Sequence, residues 1–180
     1  MRRLLLALSL ITLSATAALT LEDPGWRNSE LGWREYRNQR FGITLVYPSR
    51  VFRFERASTA GDGELFVSRD GRAQLLIGAL ENQEHHSPAS YQRFIASQSY
   101  PGLKVDYAPV RGTWTVLSGT MGETMVYEKA MFICGGRMIS DFAMTYPVAE
   151  RSLYDRIVEE IEHTFRPSTE GCNQHATTTP

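Results

Sequence analysis

Hydrophobic and polar residues alternate with a period of two along most of this chain, and the alternation runs longest between Gly112 and Pro147. Two runs, Thr124 to Cys134 and Arg137 to Tyr146, meet at Gly135-Gly136, a pair that favours a tight antiparallel hairpin. A chain that commits this much length to one hairpin is building the middle of a sheet. A third run, Thr113 to Ser118, enters through a turn at Gly119 to Gly122 and is expected to pair with the first arm. Upstream, Trp33 to Asn38, Gly42 to Tyr47 and Val51 to Glu55 read as shorter strands; Pro48 closes the second because it has no amide hydrogen for the ladder. Glu64 to Ser68 and Ala73 to Leu80 follow, separated by Asp70-Gly71, which suits a two-residue turn. In the later of these two, Leu75, Ile77 and Ala79 point one way and Leu76 and Leu80 the other. That strand is therefore expected inside the sheet, with helix cover over part of each face.

The period changes twice to that of a helix. Ser87 is placed as an N-cap and Pro88 as the first helical residue, and Tyr91, Phe94, Ile95 and Gln98 then fall near one another before Pro101-Gly102. Leu103 to Val110 returns to a strand. Ala149 to Phe165 carries Leu153, Ile157, Ile161 and Phe165 at intervals of four beside Tyr154 and Val158. Arg151, Asp155, Glu159, Glu160 and His163 form the face expected to meet solvent. Hairpin signals dominate over strand-helix-strand crossovers, which predicts an α+β fold, an antiparallel β-sheet flanked by helices, over a doubly wound parallel one. No Gly-x-Gly-x-x-Gly or phosphate loop follows a predicted strand, which argues against nucleotide binding through those architectures.

Composition adds the compartment. Arg2-Arg3, the apolar run Leu4 to Leu13 and the small residues Ala15 to Ala18 read as a secretory signal peptide over residues 1–18, cleaved after Ala17 or Ala18. Residues 19–35 are a lead-in expected to pack Trp26 or Trp33 on the domain, residues 36–166 a single domain, and residues 167–180 a flexible polar tail. Loss of Arg2 and Arg3 makes the formal charge of -1 two units more negative, and the only lysines are Lys104 and Lys129. This leaves no electrostatic footprint for nucleic acid and no basic amphipathic segment for a membrane surface. Cys134 and Cys172 both lie in the exported part, where pairing is permitted, and a Cys134–Cys172 bridge would pin the tail to the hairpin. Their spacing is not that of a Cys-x-x-Cys redox motif.

Several stretches resemble one family. Tyr36 to Pro48 (YRNQRFGITLVYP), Gly61 to Phe66, the strand ending Ser118-Gly119, and Phe142 to Pro147 before a Val/Ile-rich helix ending in Phe165 look like the PsbP-like superfamily, in particular its exported bacterial members. The resemblance covers Tyr36 to Arg166 and implies an antiparallel sheet between helices. That superfamily includes extrinsic proteins of the oxygen-evolving photosystem and a Ran-binding nuclear import factor. The matching motifs are turns and core positions, so the resemblance carries over no catalytic residue.

Side chains with chemical potential are scattered. Glu84, His85 and His86 form the most suggestive cluster, but adjacent strand residues point apart and a metal needs three or four converging ligands; a solvated loop is the plainer reading. Glu159 and His163 lie one helical turn apart and could chelate an ion weakly, though a solvent-facing contact is the simpler reading. His175 lies in the tail. Asp62, Glu64 and Asp70 are close in sequence around a hairpin and could form a weak cation or polar-ligand site, yet turn formation explains Asp62 and Asp70 without a ligand. Ser68 and Ser118 sit in strands, and no Gly-x-Ser-x-Gly elbow is present. The aromatic and Met residues of the hairpin are either core or, on a face with Trp114 and Tyr127, an open surface for a partner. The expectation is a non-catalytic exported protein without cofactor, binding another envelope protein. A small-ligand or metal-binding periplasmic protein is the runner-up, and a hydrolase comes third.

Overall fold

The computed structural model describes residues 30–59, 62–169 and 172. The expected leader, Trp26 and His175 lie outside the described residues. In chain order the strands are β1 (Trp33–Asn38), β2 (Ile43–Pro48), β3 (Phe52–Ala57), β4 (Gly63–Ser68) and β5 (Gln74–Glu81). Helix α1 (Pro88–Gln98) precedes β6 (Lys104–Tyr107), β7 (Val110–Arg111), β8 (Trp114–Met121), β9 (Thr124–Ile133) and β10 (Met138–Pro147). Helix α2 (Arg151–Thr164) and β11 (Arg166–Pro167) close the described fold.

The β9–β10 hairpin is in the middle, as its length demands. The order β3-β4-β5-β10-β9-β8-β6 forms an eight-stranded sheet with β7 paired on β8, and a second sheet of three strands runs β1-β2-β11. Every neighbouring pair is antiparallel. Alternation sorts the two faces of the large sheet. Phe66, Ile77, Phe142 and Met144 face the main core, where they meet α2 and the small sheet through Tyr154, Ile157, Ile161, Ile43 and Leu45. Ile77, Phe142 and Met144 are fully buried, and each such side chain contributes roughly 1.5–3 kcal/mol by leaving water. The opposite face holds a smaller core: Tyr91 and Ile95 of α1 pack on Leu117, Ala130, Phe132 and Ile139.

Both helices start for local reasons. Ser87 accepts the Ser90 amide at 3.2 Å while Ser90 Oγ accepts the Ser87 amide at 2.9 Å, with Pro88 in the first turn. A short 3-10 turn, Val148–Glu150, leads into α2. Phe94 and Gln98 do not join the buried stripe of α1; both are exposed, and only Tyr91 and Ile95 are buried. On α2, Glu160 was expected in solvent and is buried instead, because it follows Ile157 by three positions and shares its face.

Three turn expectations need revision. The β4–β5 connection takes residues 69–73 rather than two, closed by Gly71 N to Ser68 O at 2.9 Å and Ser68 N to Ala73 O at 2.8 Å. The β9–β10 connection takes residues 134–137, with Cys134, Gly135 and Gly136 all at positive φ. Strand β8 continues through Gly119 to Met121. Gly119 is no turn glycine: a Cβ there would lie 2.1 Å from Lys104 O, so its bare backbone is what lets β6 approach.

Candidate functional site

Registers across the large sheet place one row of side chains on its second face: Arg56, Leu65, Leu76, Ala143, Glu128 and Leu117. The neighbouring row on that face reads Gly63, Gly78, Asp141, Ala130 and Thr115. Helix α1 covers the β8–β9 end of these rows and stops there. The β4–β5–β10 end is bare, so the expected helix cover over both faces of β5 is absent on this side. The reason is length: an 11-residue helix spans about 16 Å, too little for a sheet of this width.

The bare half is a trough of about 540 Å³. Leu76 is 42% exposed and Leu80 38%, and half-buried Leu65 stands beside Leu76 on β4. Gly63 and Gly78 face each other on adjacent strands and leave a notch in the floor. Asp141 occupies the end of that notch. Its Oδ1 lies 3.1 Å from where a Cβ at Gly78 would be, so the missing side chain makes the room for the carboxylate.

Asp141 has company. Glu128 is its diagonal neighbour across the β9–β10 ladder, since Asp141 pairs with Ala130 and Glu128 lies two residues before it on the same face. Both are nine-tenths buried or more. Tyr100, just after α1, donates its hydroxyl to Glu128 Oε2 at 2.7 Å. Burial and the nearby Asp141 push the Glu128 carboxyl up to about 8, against the opposing hydrogen bond from Tyr100. Burial and the charge of Asp62 raise Asp141 to about 6, opposed by the hydrogen bond from its own backbone amide. The pair titrates as a unit and holds a proton at neutral pH. Burial, followed by the Glu128 charge, raises the Tyr100 hydroxyl far above its ordinary range, which keeps it a donor.

Reading the chain alone did not single out these two acids. The signal was present: Glu128 stands between Val126 and Ala130, and Asp141 between Ile139 and Ala143, each at an inward position of an alternating run. A charge on the apolar phase of both hairpin arms is a local conflict of the kind that marks a site.

The residues expected to carry chemistry lie elsewhere. Glu84 and His85 are exposed, and His85 sits at φ 52°. His86 is half-buried, its ring 5.9 Å from Tyr91 and 5.2 Å from Phe94, and its Nδ1 3.3 Å from Ser90 Oγ. Among the described residues no three His, Cys, Asp or Glu side chains converge as metal ligands. Glu159 and His163 are exposed on α2. Asp70 accepts from Ser68 Oγ at 2.6 Å and from the Arg72 amide at 3.1 Å, bonds that lower its carboxyl to about 2 and belong to the turn. Asp62, held by Ser58 Oγ, lines the trough. Ser68 is spent on the Asp70 turn, and Ser118 is buried in β8.

Trp114 and Tyr127 do not form an open face. They lie under α2, where the Tyr127 hydroxyl donates to Glu162 Oε2 at 2.7 Å and Lys129 Nζ, 2.8 Å from Glu162 Oε1, sits over the Trp114 ring. Burial would raise the Glu162 carboxyl; the hydrogen bonds from Lys129 and Tyr127 outweigh it and hold the group low. The open apolar surface is on the other side of the sheet.

Cys134 and Cys172 are bonded, with Cα atoms 5.5 Å apart. No helix among the described residues is long and apolar enough to cross a membrane.

No protein-family profile matches the chain, and no curated protein matches it by sequence. Its fold matches solved structures. The cyanobacterial PsbP protein (CyanoP) of Synechocystis sp. PCC 6803 aligns with a TM-score of 0.58 at 12% identity, over 77% of this chain and 94% of that one. The Ran-binding protein Mog1p of Saccharomyces cerevisiae aligns with a TM-score of 0.55 at 11% identity, over 76% and 96%. The chain has the PsbP-like fold expected from its turns and core positions.

Proposed function

We propose that this chain is a non-catalytic exported protein whose bare sheet half docks another protein of the cell envelope. The observation that carries the reading is the exposed leucine pair, Leu76 and Leu80, on the floor of a trough that α1 leaves uncovered. Apolar side chains gathered in one concavity, rather than scattered singly, mark an interaction surface. The yeast protein of the same fold is itself described as Ran-binding, which supports a docking use of this scaffold by analogy of fold alone. Export rests on the Arg2-Arg3 and Leu4 to Leu13 pattern, and the disulfide suits that compartment.

The test is cross-linking and co-purification from envelope extracts with wild type, Leu76→Glu and Leu80→Glu. Both leucines are surface positions, so the variants should unfold within about 0.5 kcal/mol of wild type and lose the partner. Retention of the same partner by both variants overturns the reading. The trough volume also falls in the range of small-molecule sites. A protein recovered alone with a stoichiometric small molecule would put ligand binding first.

A further inference from the structure

We infer that the notch beside Asp141 is an anchor site for a positively charged side chain, an arginine or lysine that the docked protein lays along the trough. This rests on the docking reading above and names the chemistry its partner must present. The geometry is that of a built site. Asp141 is 9% exposed and Glu128 5%, yet among the described residues Asp141 is met by no basic side chain, and the hydrogen bond it accepts comes from its own amide. Arg56 is the only basic residue among the described residues lining the trough, and it stands three strands away in the neighbouring row, at least roughly 14 Å at the strand spacing. That is too far for an ion pair.

Among the described residues the groups whose charge acts on the acid pair are acidic or phenolic, and one base, Arg40, lies in the adjoining cavity with Asp62, Leu80 and Glu81. Asp62 approaches from the β3–β4 connection, Glu128 from β9, Tyr91 from α1 and Tyr100 from the segment after it. Buried carboxylates without a cation cost free energy, and burying them in a concavity makes sense when the missing cation arrives from outside. The walls match the rest of such a side chain. Leu76 and Leu80 offer apolar surface to an aliphatic stem, while Gly63 and Gly78 let its head reach the carboxylate.

The site can be probed without the partner, by NMR titration of the exported chain with n-hexylguanidinium and with its neutral isostere n-hexylurea. The cation should bind saturably, shift the amides of Gly78 and Asp141, and bind at least tenfold more tightly than the urea. Asp141→Asn should lose that tenfold advantage. Gly78→Ala, whose Cβ would crowd Asp141 Oδ1 at 3.1 Å, should weaken the cation with both acids intact. Binding should tighten between about pH 5 and pH 8.5 as the acid pair gives up its proton. Equal binding of the two probes, unchanged affinity in folded Asp141→Asn, or no binding of the cation overturns the proposal.

The two readings fail separately. If Asp141→Asn still captures the partner and Leu76→Glu does not, the cation anchor is wrong and the docking face stands. If wild type captures no protein yet binds n-hexylguanidinium through Asp141, the docking reading is wrong and the cation site stands.

Discussion

Asn82 shows how much one buried amide can hold. Its Nδ2 donates to His86 O and to Gly136 O, both at 2.8 Å, and its Oδ1 accepts the His86 amide at 2.8 Å. One side chain thereby ties the β5–α1 connection to the tip of the central hairpin. Asn82→Ala leaves two carbonyls and an amide short of partners and should cost about 1–3 kcal/mol, read from the urea midpoint at constant m-value. Gly78 and Asp141 are the residue-scale counterpart at the trough. A glycine in a strand is common, and Asp141 carries along the chain only the local conflict of a charge on an apolar phase; the register that puts them opposite one another is what gives them meaning. Asp62 differed, having been assigned to a turn, and it serves both the turn and the rim of the trough.

At the scale of elements, the hairpin tip and the start of α1 make distinct predictions. The tip holds Cys134, Gly135 and Gly136 in left-handed conformation and is bonded to Cys172, closing 38 residues of chain. Reduction, or Cys134→Ala with Cys172→Ala, should destabilise the fold by about 3–4 kcal/mol through the unfolded state. Denatured, non-reduced protein should show no free thiol. Ser87→Ala removes a capping side chain from α1 and should cost about 1 kcal/mol, with a fall in urea midpoint that Ser87→Asp largely avoids. The elements were the legible part of this protein. Alternation over Thr124 to Tyr146 and the Ser87-Pro88 cap are local signals, and local signals survive folding. The placement of α1 was not legible, because which strands a short helix covers depends on strand order, and strand order is set by pairings between distant segments. The choice between a core and an open face at Trp114 and Tyr127 stays open in the sequence for the same reason: its period separates two faces without saying which one α2 will cover.

For the molecule as a whole, the acid pair sets an unusual pH response. A carboxyl whose folded pKa is raised binds more protons in the folded state than in the unfolded one, so stability falls as pH rises between the two values. The unfolded values are near 4, and the folded ones are about 6 for Asp141 and about 8 for Glu128. The contribution is therefore fully present below about pH 4 and lost as pH climbs through about 6 and about 8. Asp70, lowered to about 2, and Glu162, also lowered, act in the opposite sense at the acid end, where their stabilisation is lost as they protonate. Wild type should be most stable near pH 5 and weaker at pH 8 in urea titrations. Glu128→Gln with Asp141→Asn should flatten that slope and raise the midpoint at pH 8. A wild type that is more stable at pH 8 than at pH 5 would show that the pair is ionised at little cost.

The last strand carries a consequence for how the chain reaches this state. β11 pairs with β2 through Arg166 and Thr44, residues 122 positions apart, and Ser168 N reaches Gly42 O at 2.7 Å. The chain's described beginning and end are thus stitched into one small sheet that also floors the main core. Such a pairing cannot be made until the chain has been extended through Pro167, and contacts of this span are slow to close. A nascent chain short of Arg166 can pair β1 with β2 but lacks β11, the third strand of that sheet.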